Sequence, residues 1–130
     1  MEQSIRIIII DDHEMVLQGL GTLVNNYPGI EILGLFLDGN AAIAAVDELN
    51  PDIVLTDINM PIINGFDTAE QILKKNPDIK VAMLSMENKE GYITKAQEAG
   101  ASAYVLKDAP VEHLISVIKK VYQGETHFEV

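Results

Sequence analysis

The sequence predicts an α/β fold in which helices cover both faces of a parallel sheet. Short runs of branched aliphatic residues alternate with stretches whose apolar residues recur at helical spacing. Turn residues such as Pro28-Gly29 and Asn76-Pro77 separate these segments. Strict strand–helix alternation with short connections is typical of parallel sheets with right-handed crossovers. We therefore expect five strands and five helices in one open α/β sandwich.

The first half of the chain predicts three strands and two helices. The segment 5–10 is too short for a helix, lacks alternation and is rich in β-branched residues, as expected for a strand buried on both faces. The next segment predicts a helix, because apolar residues recur at Met15, Val16, Leu20, Leu23 and Val24. After the turn at Tyr27-Pro28-Gly29 we expect a strand at 31–37, a helix at 40–49 and a strand at 52–56.

The second half continues the alternation with a helix at 65–75, which ends at Asn76-Pro77. A strand at 80–84 and a loop at 85–90 follow. The remaining elements are a helix at 90–99 that stops at Gly100, a strand at 103–106 and a helix at 111–123 before Gly124. No repeat or Pro/Gly-rich linker interrupts this order, so we expect one domain over 1–130.

Composition excludes several classes of protein. The 130 residues are 48% hydrophobic, and no apolar run approaches the roughly 20 residues of a membrane span. The absence of cysteine and of a leader-like start predicts a soluble, cytoplasmic protein. Nine Lys and Arg against twenty Asp and Glu give a net charge of −11, which would repel nucleic-acid phosphates. We expect no DNA or membrane binding by this chain itself.

Polar side chains follow four of the predicted strands. Asp11-Asp12 ends the first strand, Asp57 the third, Ser85 the fourth and Lys107 the fifth. In open parallel sheets these carboxyl ends meet at one edge, where functional groups collect. Three carboxylates stay ionised together there only beside a cation, and oxygen ligands favour Mg²⁺ or Mn²⁺. The pattern predicts a metal-assisted phosphoryl acceptor in which one carboxylate is the nucleophile.

A simpler interpretation is that each acid caps a turn or helix, and we prefer it for Asp52 and Asp78. His13 is interpreted as a surface residue at a helix start, because one imidazole among oxygen ligands suits neither Mg²⁺ nor zinc. His113 and His127 lie far along the chain and receive no role. The chain also lacks GxGxxG, GxxxxGK[ST] and GxSxG, which removes the main support for dinucleotide, P-loop and serine-hydrolase functions.

Four stretches, taken together and in this order, resemble the receiver domain of two-component response regulators. They are "IIIIDDHEMV", "DIVLTDINMPIINGFD", "VAMLSM" and "EAGASAYVLKDAP", within a resemblance that covers about residues 5–123. The segments "KDAP" and "VEHLISVIKKVYQGE" are most similar to the NarL/FixJ subfamily, which carries LuxR-type outputs. The resemblance implies a flavodoxin-like, three-layer sandwich with a five-stranded parallel sheet of order 2-1-3-4-5.

The resemblance also implies a role for individual residues. Asp57 would be the phosphoacceptor, while Asp11, Asp12 and the backbone carbonyl of Asn59 would share Mg²⁺ with it. Ser85 and Lys107 would bind the phosphoryl group, and Tyr104 would be the aromatic residue that changes rotamer on activation. The side chains of Asn59 and Glu87 would tune dephosphorylation. From the residues alone, the preferred interpretation of Tyr104 is a partly buried aromatic on an edge strand, and Asn64-Gly65 is only a turn.

The resemblance implies a sensor histidine kinase as phosphoryl donor, phosphorylation that the domain itself catalyses, and a phosphorylation-dependent homodimer. NarL/FixJ receivers usually precede a helix-turn-helix domain, so we expect that DNA is reached only through an output domain missing from this chain. A stand-alone receiver and a phosphate-independent interaction module remain alternatives. A Mg²⁺-dependent phosphatase is less favoured, because its usual second Asp would fall at Asn59. Asp108 replaces a common proline, which leaves the geometry of the Lys107-Asp108 bond open.

Overall fold

The computed structural model describes residues 4–87 and 89–129, so Asn88 of the predicted loop 85–90 lies outside the described residues. The described part forms strands β1 (Ile5–Ile10), β2 (Ile30–Phe36), β3 (Ile53–Asp57), β4 (Lys80–Ser85), β5 (Ala103–Leu106) and β6 (His127–Phe128). The helices are α1 (Glu14–Asn25), α2 (Gly39–Leu49), α3 (Gly65–Lys75), α4 (Tyr92–Glu98) and α5 (Val111–Tyr122).

The strands form one parallel sheet in the order β2-β1-β3-β4-β5-β6. The predicted parallel sheet and five helices are confirmed, but the predicted strand count of five is wrong. The sixth strand pairs His127 with Ala103 and Phe128 with Tyr104. Two residues are too few to show a hydrophobic period in the sequence. This strand exists because the backbone after α5 pairs with β5. The His127 amide donates to the Ser102 carbonyl at 3.0 Å, and the Glu129 amide donates to the Tyr104 carbonyl at 3.3 Å.

The sheet is buried on both faces, as the unbroken isoleucine run predicts. Side chains alternate along a strand, so Ile7 and Ile9 face one layer of helices while Ile8 and Ile10 face the other. The first face packs on α1 and α5 through Leu17, Val24, Leu114 and Ile118. The second packs on α2, α3 and α4 through Ala42, Val46, Ala69, Ile72 and Ala96. Two apolar layers therefore hold the central strands, and with them the strand ends, in place.

Several element boundaries differ from the predicted ones by one or two residues, and local hydrogen bonds fix where helices begin. Asp38 and Asn64 cap α2 and α3 by accepting from the amides of Ala41 and Asp67. The fourth helix starts at Tyr92 rather than 90, after Gly91 with φ of 86°. The third and fourth strands each extend one residue further than predicted, to Asp57 and Ser85. The peptide bond between Lys107 and Asp108 is trans, since the described residues contain no cis bond.

Candidate functional site

The carboxyl ends of four neighbouring strands bring the predicted site residues to one edge. Asp57 and Ser85 are the last residues of β3 and β4, while Asp11 and Lys107 directly follow β1 and β5. Pairing places Asp57 opposite Leu84, and Ser85 opposite Leu106, so the ends are nearly level. Asp11, Asp57 and Ser85 are 1%, 8% and 2% exposed. The site is thus built at the base of a shielded cleft.

One lysine connects two of the three carboxylates. The Lys107 Nζ lies 2.5 Å from Asp11 Oδ2 and 3.3 Å from Asp57 Oδ2, and its side chain is only 10% exposed. The second oxygen of Asp57 accepts the Ile58 amide at 2.8 Å, and that of Asp11 accepts the His13 amide at 2.9 Å. Charge-assisted bonds of this kind fix the orientation of both carboxylates. The ammonium group is positioned to contact any group carried by Asp57.

Electrostatics at Asp57 are a balance of three effects. Burial raises the pKa of the Asp57 carboxyl above its usual range, Lys107 opposes the rise and Asp11 adds to it. The net direction is upward, so one lysine does not fully compensate the burial of the carboxylates. The site therefore favours an additional positive charge.

Oxygen atoms of Asp11, Asp12 and Asp57 lie within 4.8 Å of one another, together with a ring nitrogen of His13. The Asp12 Oδ1 atom is buried and has no hydrogen-bond partner among the described residues. The His13 Nδ1 lies 3.2 Å from it but outside hydrogen-bond geometry. A buried, unpartnered carboxylate oxygen beside two others fits a hard cation such as Mg²⁺. His13 caps the start of α1 with its side chain 70% exposed, as predicted, although it lies closer to the acids than expected.

Among the described residues, Ser85 and Tyr104 make no hydrogen bond to the carboxylates, but they share an acceptor with each other. The Ser85 hydroxyl donates to the Glu87 carbonyl at 2.8 Å, and the Tyr104 hydroxyl donates to the same oxygen at 2.8 Å. The Glu87 amide returns a bond to Ser85 Oγ at 3.1 Å. Tyr104 is fully buried and β5 is an inner strand, so the alternative of a partly buried residue on an edge strand is wrong. The loop after β4 couples the two hydroxyl groups.

Asn59 and Glu87 line the cleft beside Asp57 and Lys107, in a cavity of about 330 Å³. The Asn59 side-chain oxygen accepts from the Tyr92 hydroxyl at 3.2 Å, and Glu87 pairs with Lys89 at 3.1 Å. Both side chains are therefore next to Asp57 but held by residues at the start of α4 and in the loop before it.

Gly65 is a part of the site that the sequence indicated only as a turn. A Cβ atom on Gly65 would lie 2.2 Å from the Asp57 carbonyl oxygen and 2.9 Å from the Ile58 Cα. The Gly65 amide donates to the Ile58 carbonyl at 2.8 Å. The start of α3 thus presses directly on the backbone that carries the predicted acceptor. Asn-Gly immediately before an apolar helical pattern is the sequence signal for such an approach.

Asp52 also has a structural contact away from this edge. Its Oδ2 accepts the Arg6 amide at 2.9 Å and so joins the starts of β1 and β3. Asp52 is predicted to cap a turn or helix, but its carboxylate instead bonds across to β1, at the end of β3 opposite Asp57.

Comparison with known proteins identifies the family. A model described as the response regulator receiver domain matches residues 7–119, which is most of the chain. The chain belongs to the response regulator receiver domain family. This receiver is 38% identical over 123 residues to the transcriptional regulatory protein DegU of Brevibacillus brevis, covering 95% of this chain and 52% of DegU. It is 37% identical over 128 residues to the response regulator protein VraR of Staphylococcus aureus, covering 97% of this chain and 60% of VraR.

A solved structure has the same fold. A LuxR-family two-component response regulator from an Aurantimonas species aligns with a TM-score of 0.91 at 28% identity, covering 96% of this receiver and 89% of that chain. The predicted receiver function and LuxR-type subfamily are confirmed by these matches. The receiver spans about half the length of DegU and 60% of VraR. Within the described residues, no helix has the length and apolar character needed to cross a membrane.

Proposed function

We propose that this receiver accepts a phosphoryl group on Asp57 from a sensor histidine kinase, with Mg²⁺ bound, and thereby controls an output. The observation that carries the proposal is Lys107 Nζ lying between Asp11 and Asp57, in a site that also holds the unpartnered oxygen of Asp12. A phosphoryl acceptor needs a carboxylate nucleophile and fixed positive charge beside it. Both are present at the edge of the sheet.

In the transfer step, an oxygen of Asp57 forms a bond to phosphorus. The bond from phosphorus to the imidazole nitrogen of the kinase phosphohistidine breaks, and that nitrogen keeps the electron pair. Lys107 is within 3.3 Å of Asp57 Oδ2, so its ammonium group binds a phosphoryl oxygen without a large movement. The receiver's own residues thus catalyse the transfer, although the phosphoryl group stays on the protein and no substrate is turned over.

Asp11, Asp12, Asp57 and the backbone carbonyl of Asn59 would hold the Mg²⁺, for which Mn²⁺ could substitute. The bound ion would supply positive charge to the carboxylates and to the phosphoryl oxygens. Its fit depends on the all-oxygen donor set and on the buried Asp12 Oδ1, which has no other partner among the described residues.

Phosphorylation would switch the protein through the Glu87 carbonyl. In the present structure the Ser85 hydroxyl donates to the Glu87 carbonyl. A phosphoryl dianion on Asp57 would attract that hydroxyl away from it. When Ser85 turns away, the loop after β4 is free to move and the Tyr104 hydroxyl loses its present partner geometry. The change would reach the surface formed by α4, β5 and α5, the face that we propose transmits the signal.

The side chains of Asn59 and Glu87 would set how fast water removes the phosphoryl group. Both line the cleft next to Asp57, and both are polar. They are able to hold a water molecule near phosphorus, which would favour fairly rapid self-dephosphorylation. Slower loss of phosphate in an Asn59→Met, Glu87→Ala variant than in the parent, timed by intact mass, is the expected result; equal rates would rule this role out.

The chain covers about half of DegU, which is a transcriptional regulatory protein. We propose that this receiver likewise acts within a longer cytoplasmic regulator, that an additional helix-turn-helix domain binds DNA, and that phosphorylation promotes a homodimer. The receiver's charge of −11 makes direct DNA binding unfavourable.

The proposal is tested by intact-mass measurement after incubation with acetyl phosphate and Mg²⁺, and then with a purified histidine kinase. We expect one phosphoryl group on the parent protein, and none on an Asp57→Asn variant or when EDTA is present. An Asp52→Asn variant is the matched control, because Asp52 is held by Arg6 at the opposite end of β3; it should be phosphorylated like the parent. If neither donor phosphorylates the parent, a phosphate-independent interaction module is the better account.

A further inference from the structure

His113, His127 and Glu129 form a second cluster of metal-ligating side chains. His113 is in α5, while His127 and Glu129 are two residues apart at β6, so they point to the same face of the strand. The His113 Nε2 lies 3.1 Å from both Glu129 oxygens, and the His127 Nε2 lies 3.8 Å from Glu129 Oε2. One ligand atom from each residue falls within 4.8 Å of the others. The cluster is separate from the acids beside Asp57.

An ion pair explains only part of this arrangement. It accounts for His113, whose Nε2 contacts both Glu129 oxygens directly, but His127 Nε2 is farther away, at 3.8 Å from Glu129 Oε2 and outside hydrogen-bonding distance. The His127 Nε2 atom is shielded from solvent and has no hydrogen-bond partner among the described residues. Such an atom is costly to bury unless something binds it. The two imidazole rings are T-shaped, with centroids 5.5 Å apart, and both Nε2 atoms approach the same Glu129 carboxylate.

The distances suit a small divalent ion. Zinc binds imidazole nitrogen and carboxylate oxygen at about 2.0–2.2 Å in tetrahedral geometry, which places neighbouring ligand atoms about 3.3 Å apart. The separations of 3.1 and 3.8 Å lie close to this value. Two imidazoles with one carboxylate suit zinc and other late transition metals, whereas Mg²⁺ prefers oxygen ligands alone. The three residues leave a fourth position for water.

Backbone pairing orients the ligands. Glu129 Oε1 also accepts the Leu106 amide at 3.3 Å, and pairing of His127 with Ala103 fixes β6 against β5. Ligands held by other hydrogen bonds are pre-oriented for a metal. An ion here would join α5 to the segment that follows it.

We propose that His113, His127 and Glu129 bind one Zn²⁺ ion, which fastens the chain after α5 to the edge of the sheet. This site does not depend on phosphorylation of Asp57. Its effect would be to hold β6 against β5, after the last helix.

The test is calorimetric titration of the full chain with ZnCl₂ at about pH 7.5, in excess Mg²⁺ to occupy the acidic cleft. We expect one Zn²⁺ site in the parent and at least about tenfold weaker binding in His113→Gln and His127→Gln variants. The matched control is His13→Gln, which removes the histidine beside the acids and should bind Zn²⁺ like the parent.

Circular dichroism checks that the variants fold. If His127→Gln does not fold, side-chain NMR of the parent decides the question. Zn²⁺-dependent shifts of the His113 and His127 imidazole signals would support the site, and shifts confined to His13 would overturn it. The proposal is also overturned if the parent binds no Zn²⁺, or if folded His127→Gln binds it with unchanged affinity.

Discussion

At the scale of single residues, Asp57 shows how burial and charge compete. It is 8% exposed and close to both the cation of Lys107 and the anion of Asp11. Burial and Asp11 together outweigh Lys107, so the pKa of Asp57 is raised. The folded state therefore binds the Asp57 proton more tightly than the unfolded chain does. The stability gained from the protonated form is present below the unfolded pKa and is lost as pH rises through the folded one.

It follows that ionised Asp57 lowers the stability of the metal-free protein at neutral pH. We expect Asp57→Asn to raise the free energy of unfolding by about 1 kcal/mol at pH 7 in EDTA, since it removes the charge and keeps the shape. The gain should shrink as pH falls below the Asp57 pKa. Urea unfolding at several pH values measures it.

The control for this prediction is Asp78→Asn, at an exposed position where we expect a change within about 0.5 kcal/mol. A destabilised Asp57→Asn protein at pH 7 would mean that the pairing of Asp57 with Lys107 outweighs its burial.

At the scale of elements, the start of α3 packs against the backbone of Asp57. Asn64 caps the helix by accepting the Asp67 amide at 2.9 Å, which places Gly65 directly against Asp57 and Ile58. The contacted atoms belong to the backbone, so they cannot move aside as a side chain would. Asp57, whose backbone Gly65 contacts, is the last residue of β3, and Ile58 follows it.

Gly65→Ala should therefore destabilise the protein by about 1–3 kcal/mol, because an added methyl overpacks this contact. Gly19→Ala is the matched control: a Cβ on Gly19, in the middle of α1, meets no atom within 4 Å. That change should stabilise the protein by about 0.5–1 kcal/mol through helix propensity. Both values come from urea unfolding, and equal stability of the two variants would contradict the close approach at Gly65.

At the scale of the whole molecule, the dominant electrostatic feature is a net charge of −11. Much of this charge is at the surface, where salt screens it. The acids of the cleft are different, because Asp11 and Asp57 are buried and, among the described residues, only Lys107 is a lysine in ion-pair contact with them. A specific cation should thus stabilise the fold more than a general increase in ionic strength does.

We expect Mg²⁺ at about 100 times its Kd to stabilise the parent by about 2.7 kcal/mol, by mass action. Asp12→Asn should lose most of this gain, because it removes the unpartnered oxygen. Thermal unfolding with Mg²⁺, and with NaCl at matched ionic strength, separates binding from screening. The same rise in Tm with both salts would argue against a specific site.

Much of the fold was predictable because the information is local. Ile5–Ile10 is buried on both faces as its pattern predicts, and α3 and β5 begin and end at the predicted residues. The strand-end positions of Asp11, Asp57, Ser85 and Lys107 follow from the same pattern. By contrast, β6 depends on backbone pairing with β5. A segment of two residues is too short to show a hydrophobic period, so the sequence did not predict it.

The sequence by itself determined the class of fold, the edge at which polar groups collect and the family to which they belong, because hydrophobic period and strand ends are properties of neighbouring residues. Only the tertiary structure decided that Lys107 meets Asp11, 96 residues away, and that Ser85 and Tyr104 share the Glu87 carbonyl. It likewise brought together His113, His127 and Glu129. Such meetings depend on the order and packing of strands and helices, which distances along the chain do not specify.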